Sequence, residues 1–204
     1  RAVITNGGQD MTNVSEQMAL GAGGFSAYPN NREGWGRILA HNGMYFPGAA
    51  RRLVVRDVRN ASAESLTTGQ TWELEFDVNS SGEQLRVTMA FTDLAASIGS
   101  SFAPINNIDL EVVSPSGTIY KGNNFSGGQV VAGGNADAIN SFEQVHRNNP
   151  EVGTWTARVK GTAVNQQTQG FAIVITGDVD DETMLPCPGD FDGDGDVDFA
   201  DLNS

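Results

Sequence analysis

The 204-residue chain has a single cysteine, Cys187, so it can form no intrachain disulfide and assemble no Cys-based zinc site. Flanked by Pro186 and Pro188, that thiol reads as incidental. Basic residues are few: 12 Lys and Arg stand against 25 Asp and Glu, a formal charge of -13. Nucleic acid and anionic membranes are thereby excluded as natural partners, because phosphate binding needs a basic footprint. No apolar run is long enough to cross a bilayer as a helix. Aromatic residues are scarce at 8% while glycines number 25, a balance that suits an extracellular β protein with many turns better than a helical bundle. The first residue is Arg1 rather than Met, so no targeting signal is read here.

The negative charge is uneven. Residues 161–204 hold ten acidic residues and no Lys or Arg, which leaves 15 acids against 12 bases in the rest. The acidic end points to a cationic partner, Ca²⁺. With domains usually running to roughly 100 to 150 residues, one main domain with flanks is expected.

Along the chain, Glu33-Gly34-Trp35-Gly36-Arg37-Ile38 separates two unlike pieces. Before it, Arg1 to Gly8 reads as the last two turns of a helix closed by a glycine C-cap. A short helix is expected over Val14 to Leu20, loop over Gly21 to Asn31, and another brief helix over Ile38 to Phe46. From Leu53 the period changes to two. Trp72, Leu74, Phe76 and Val78 alternate with Glu73, Glu75 and Asp77, and Leu85, Val87, Met89 and Phe91 alternate with Arg86, Thr88 and Ala90, so the pair is expected to form a hairpin around Ser80 to Glu83. Ile108, Leu110 and Val112 make a further strand, and Ser114-Pro115-Ser116-Gly117 suits a type I turn. Thr118 to Tyr120, Phe142 to Val145, Thr154 to Lys160 and Phe171 to Thr176 complete about eight strands. The expectation is a mostly β protein, an antiparallel jelly roll or β-sandwich over residues 50–177. A short α/loop piece precedes it at 1–49, an acidic linker follows at 178–188, and an EF-hand-like segment closes the chain at 189–204.

Two groups of residues offer ligand oxygens. Counting Asp190 as position 1, Asp192, Asp194 and Asp198 fall at 3, 5 and 9, Gly195 at the sharp turn of position 6, Asp196 at 7, where the backbone carbonyl ligates, and Asp201 at 12. This is the EF-hand loop template, in which oxygens converge on a hard cation from one tight loop. The alternative is a disordered Asp/Gly tail. Weaker candidates are Asn107 and Asp109, which point away from Ile108 and Leu110 together with Glu111. With Asn123 and Asn124, or with Asp137, Asn140 and Glu143, they would form an oxygen cluster; the competing reading is an ordinary polar strand face. His41 and His146 stand near no Ser and Asp in catalytic order and read as surface or packing residues. The three Trp residues read as core or seam packing, with an exposed Trp155 able to stack on a sugar.

The wording Gly189-Asp190-Phe191-Asp192-Gly193-Asp194-Gly195-Asp196-Val197-Asp198, with Asp at position 12, resembles the first half of a type I dockerin repeat. Such modules carry two repeats and anchor enzymes to cohesin modules; a lone loop implies weaker binding. Gly34-Trp35-Gly36-Arg37-Ile38, preceded by Ala2-Val3-Ile4-Thr5-Asn6-Gly7, resembles the end of the catalytic domain of secreted bacterial subtilisin-like serine peptidases. The strings Asn107-Ile108-Asp109-Leu110-Glu111-Val112-Val113-Ser114-Pro115-Ser116-Gly117, Gly122-Asn123-Asn124-Phe125, Asn140-Ser141-Phe142-Glu143-Gln144-Val145 and Gly153-Thr154-Trp155 resemble the barrel that follows that domain, and more distantly the P-domain of proprotein convertases. The likeness extends over about residues 1 to 177. Ile108 and Asn124 stand where the family carries acidic residues, which removes two charges from any barrel calcium site.

The resemblance implies a secreted parent serine endopeptidase whose Ser, His and Asp lie outside this chain, since no Gly-Thr-Ser-Met-Ala-like elbow occurs in it. Implied partners are the parent's own protease domain, its protein and peptide substrates, and a cohesin-like module. The rival expectation is a stand-alone adhesion module for a glycan or protein.

Overall fold

The computed structural model describes residues 1–11, 28–30, 33–44, 46 and 48–180. The helix expected over Val14 to Leu20 and the whole loop Asp190 to Asp201 lie outside the described residues.

Among the described residues, thirteen strands and two helical turns follow the sequence as α1 (Ala2–Asn6), β1 (Gly8–Gln9), β2 (Arg37–Ile38), α2 (Ala40–Gly43), β3 (Arg52–Val58), β4 (Thr71–Val78), β5 (Leu85–Ala90), β6 (Asn106–Val113), β7 (Ile119–Lys121), β8 (Phe125–Ser126), β9 (Gln129–Val130), β10 (Phe142–Arg147), β11 (Gly153–Val164), β12 (Phe171–Gly177) and β13 (Val179–Asp180). Two antiparallel sheets carry the fold: four strands in the order β10-β5-β12-β3, and five in the order β13-β4-β11-β6-β7. They face each other as a β-sandwich. The inward positions, every second residue, bury Leu85, Val87, Met89, Ile173 and Ile175 from one sheet against Phe76, Ile108, Leu110, Trp155 and Val159 from the other.

The alternation of apolar residues therefore assigns faces correctly, but it does not assign partners. β4 and β5 are not a hairpin. β4 pairs with β11 and β13, and β5 pairs with β10 and β12, so residues 79–84 cross from one sheet to the other. Both strands present an apolar face to the same core, and a hairpin or a crossover satisfies that requirement equally well. The β6–β7 return does form as expected, with the Gly117 amide donating to the Ser114 carbonyl at 2.8 Å. Pairing also continues past Gly177, because β13 lies against β4 and buries Val179 in the core. Trp155 is 1% exposed, with its indole N–H donating to the Glu151 carbonyl at 2.8 Å, so it cannot stack on a sugar.

The N-terminal piece is more compact than a helix end. α1 stops at Asn6, and Gly7 has φ of -78°, so it is no left-handed cap. Gly7 is needed instead because its α-carbon lies against the Leu39 carbonyl and the Gly43 backbone, where a side chain has no room. The helix expected over Ile38 to Phe46 shrinks to α2, since Arg37 and Ile38 are drawn into a two-stranded ribbon with Gly8 and Gln9. Gly36 sits at φ of +74° with its α-carbon against the Gln9 backbone, so the second glycine of Gly-Trp-Gly is fixed twice over, by conformation and by space.

Candidate functional site

α1 and the Gly-Trp-Gly turn lie on the outer face of the four-stranded sheet, which therefore does not face water. The outward positions of β5, β10 and β12 are Arg86, Thr88 and Ala90; Phe142, Gln144 and His146; Ala172, Val174 and Thr176. Ala90, Phe142 and Val174 pack with Ala2, Val3 and Trp35 into a second, smaller apolar cluster.

Beside that cluster runs a buried polar seam. Asn6, wholly buried, donates from Nδ2 to Thr176 Oγ1 at 2.7 Å and accepts at Oδ1 from Thr88 Oγ1 at 2.7 Å. Gln144 in turn donates to Thr88 Oγ1 at 2.9 Å. The Arg86 guanidinium donates from Nη1 to the carbonyls of Asn6, at 2.8 Å, and Gly8, and from Nε to Gln84 Oε1. It thus holds the C-terminal end of α1, where carbonyls lack helical partners and a cation is favoured. Burial pulls its pKa down to about 10, opposed by Tyr28 and reinforced by the Arg51 charge. Tyr28 donates to the Trp35 carbonyl at 3.1 Å, and burial raises its phenol to about 12 against the pull of Arg86.

On the inward face of β10, Glu143 ties the two sheets together. Its side chain leaves β10 toward the interior, and Oε2 accepts from the Leu110 amide of β6 at 3.0 Å. Gly122 makes the reach possible, since any Cβ there would run into the Glu143 carboxyl. Glu143 Oε1 is buried with no partner. Burial raises its pKa to about 9, against the Leu110 hydrogen bond and with the Asp109 and Asp137 charges adding to the shift. Asn123 closes the junction by accepting the Gln144 amide at 3.0 Å while donating to the Phe142 carbonyl at 2.8 Å and to Asp137 Oδ2 at 2.7 Å.

Of the expected oxygen cluster, then, Asn123, Asp137 and Asn140 come together around Asp137. Burial works against ionisation of Asp137, but hydrogen bonds from the Asn123 and Asn140 side chains and from the Ile139 and Asn140 amides outweigh it and hold the carboxyl below its usual range. Asn107 and Asp109 meet each other rather than that group. Asp109 accepts from Asn107 at 3.3 Å and from Thr162, the extra residue of a β-bulge in β11 that turns its hydroxyl toward Asp109. Asp109 is 4% exposed, not outward in water, and burial raises its pKa despite the bonds from Thr162 and Asn107. Glu111 pairs with Lys160 at 3.3 Å. Among the described residues, no three His, Cys, Asp or Glu side chains are grouped to hold a metal ion.

His41 is exposed and stacks on Phe46. His146 is fully buried, and neither ring nitrogen has a hydrogen-bond partner. Sequence reading passed over Arg86 and Gln144, and named Glu143 only as a member of the oxygen cluster. The available signal was the mixture of Phe142, Ala90 and Val174 with polar residues at outward positions, a pattern that belongs to a covered face.

No family model matches the sequence, and no curated protein does. Among solved structures, the Bacillus licheniformis lipase BlEst2 in its propeptide form is similar over 67% of this chain and 24% of its own, at 17% identity and a TM-score of 0.36. The chain spans about a quarter of that lipase, and so loose a likeness carries no argument about fold or function. Among the described residues no helix is long and apolar enough to cross a membrane.

Proposed function

We propose that this chain is the C-terminal accessory region of a secreted subtilisin-like serine endopeptidase, in which the sandwich is fastened to the end of the catalytic domain and stabilises it or shapes substrate access. The observation that carries this reading is the seam of Arg86, Asn6, Thr88, Gln144 and Thr176, which joins the Ala2-to-Gly8 segment to the sandwich through buried hydrogen bonds, while Trp35 of the Gly-Trp-Gly turn packs on Phe142 and Phe125 beside it. Those two segments are the ones that resemble the end of a protease domain. A preceding domain continuous with α1 would be held at a fixed orientation to the sandwich.

The test lies in the coding sequence upstream of Arg1. A Gly-Thr-Ser-Met-Ala motif within a few tens of residues supports the reading, and a signal peptide directly before Arg1 removes it. Purified residues 1–204 are expected to hydrolyse no peptide substrate; inhibitor-sensitive peptidase activity in that fragment would refute the accessory role.

The acidic tail is proposed to bind Ca²⁺ through Asp190, Asp192, Asp194, Asp196, Asp198 and Asp201 and to offer a weak dock for a cohesin-like module. Calorimetry with Ca²⁺ is expected to give a binding heat for the wild type that Asp190→Ala loses, and identical heats in both would eliminate the loop as a site.

The second reading, a stand-alone module for a glycan or protein, is favoured by one feature. An open, mainly apolar cleft of about 590 Å³ lies between residues 93–104 and 138–141, lined by Phe91, Leu94, Phe102, Pro104 and Ile139. An upstream signal peptide together with saturable ligand binding abolished by Phe102→Ser would establish it.

A further inference from the structure

Tyr28 and Trp35, from the N-terminal side, and Phe125, Phe142 and His146, from the sandwich, form one aromatic box. Tyr28 lies stacked on the His146 ring at 5.8 Å between centroids, and Phe125 meets that ring edgewise at 5.3 Å. Trp35 closes the box against Phe125 at 5.7 Å, Phe142 at 5.0 Å and Tyr28 at 6.5 Å. The imidazole at its centre is 0% exposed, and both nitrogens lack partners. A histidine retained without a single hydrogen bond is unusual, because buried polar groups are normally satisfied.

We propose that this box is an acid-released latch: the uncharged His146 ring holds the Tyr28 and Trp35 cover on the four-stranded sheet, and protonation of the ring in mild acid lifts that cover.

The surroundings set the direction. The charged group facing His146 from β5 is Arg86, a like charge for an imidazolium, and from β12 and α1 come only the neutral Thr176 and Asn6. Asp10 and Glu33 lie near the Tyr28 phenol, and Arg147, the next residue on β10, turns to the other face, where it bonds the Val130 carbonyl and covers Tyr120. Among the described residues no carboxylate meets the ring. Burial, and after it Arg86, hold the imidazole pKa well below its ordinary 6.5. Attraction of an imidazolium to the Tyr28 face opposes release, but it does not replace the lost hydration of a buried, unpaired charge.

The sign follows from linkage. A histidine whose pKa is depressed in the closed state takes up its proton on opening, so closure is complete above pH 6.5 and weakens below it, the opening constant rising up to tenfold per pH unit. In the window from pH 6.5 to 5 the raised Glu143 carboxyl acts with the opposite sign, strengthening the sandwich as pH falls, so a weakening confined to the cover is assigned to His146.

The latch is tested by amide hydrogen exchange, corrected for intrinsic rates, at Gly36 and Leu39, whose N–H groups donate to the Glu33 and Gly7 carbonyls, with β6 and β11 amides as the internal control. Opening at Gly36 and Leu39 is expected to rise about tenfold from pH 6 to pH 5 while opening at the control amides does not rise, and His146→Phe is expected to abolish that dependence. Exchange independent of pH in the wild type, or an equal rise in His146→Phe, overturns the proposal. Should the variant fail to fold, the wild-type imidazole titrated by NMR decides the matter: protonation that leaves the Tyr28 and Trp35 ring signals unmoved refutes it, and a midpoint below 6.5 at which those signals shift together with the imidazole upholds it.

Discussion

Arg86→Met is expected to release the N-terminal segment from the sandwich while the two sheets remain folded. Two effects compete. Removing the guanidinium relieves the burial of a charge, which lowering its pKa from 12.5 to about 10 puts at about 3 kcal/mol. Against this, the Asn6 and Gly8 carbonyls and Gln84 lose their donor together, at about 1–3 kcal/mol for each group left unsatisfied. With the two carbonyls orphaned under the cover and Gln84 losing its partner at the rim, the second effect wins at the middle of that range, and docking weakens by a net of about 3 kcal/mol. The arginine also contacts the sheet only from its outer side, so the core of Trp155, Phe76 and Leu85 is untouched. The readouts are exchange of the Gly7 and Leu39 amides and protease cleavage before Arg51. A loss below about 0.5 kcal/mol, the usual effect of a surface substitution, would mean that Arg86 is not what fastens the segment.

Glu143→Gln is expected to stabilise the protein at neutral and alkaline pH and to do nothing near pH 4.5. The folded-state pKa of Glu143 is raised to about 9 from an ordinary 4.5, so its contribution is fully present below 4.5 and declines as pH rises toward 9, by up to about 1.4 kcal/mol per pH unit. Glutamine keeps an acceptor for the Leu110 amide and carries no charge, so that decline disappears. A gain of about 2 kcal/mol at pH 8 would raise Tm by ~4–8 °C in a domain of this size. Equal melting of wild type and variant at pH 8 would show that Glu143 is solvated or paired in solution. The opposite experiment, Gly122→Ala, drives a methyl group into the Glu143 carboxyl and is expected to destabilise at every pH.

The sheet faces were legible because alternation is local: Ile108, Leu110 and Val112 had to point one way whatever they paired with. Pairing was not, because β4 and β5 carry the same signal and differ only in how residues 79–84 run. The oxygen cluster was half legible. The loop around Asn123 and the segment around Asn140 do meet at Asp137, as their amide-rich sequences suggested, but Asp109 is drawn off by Thr162, and a bulge residue leaves no mark in the alternation. Glu143 was expected as one oxygen of that cluster, yet its carboxyl turns into the junction of the sheets and accepts from the Leu110 amide. That it points inward follows from Val145, two residues on, lying in the main core. His146 and Arg86 were hidden by a general expectation, that polar outward positions on a sandwich strand face water. Here a second part of the chain covers them.

That cover bears on how such a sandwich can be moved between proteins. Cut at residue 50, the four-stranded sheet would present Phe142, Val174 and Ala90 beside an unpartnered Arg86 and His146, a surface suited neither to water nor to an arbitrary neighbour. The piece that can be inherited or grafted intact is accordingly the sandwich together with α1 and the Gly-Trp-Gly turn, so a boundary for transfer lies before Ala2 and not at residue 50.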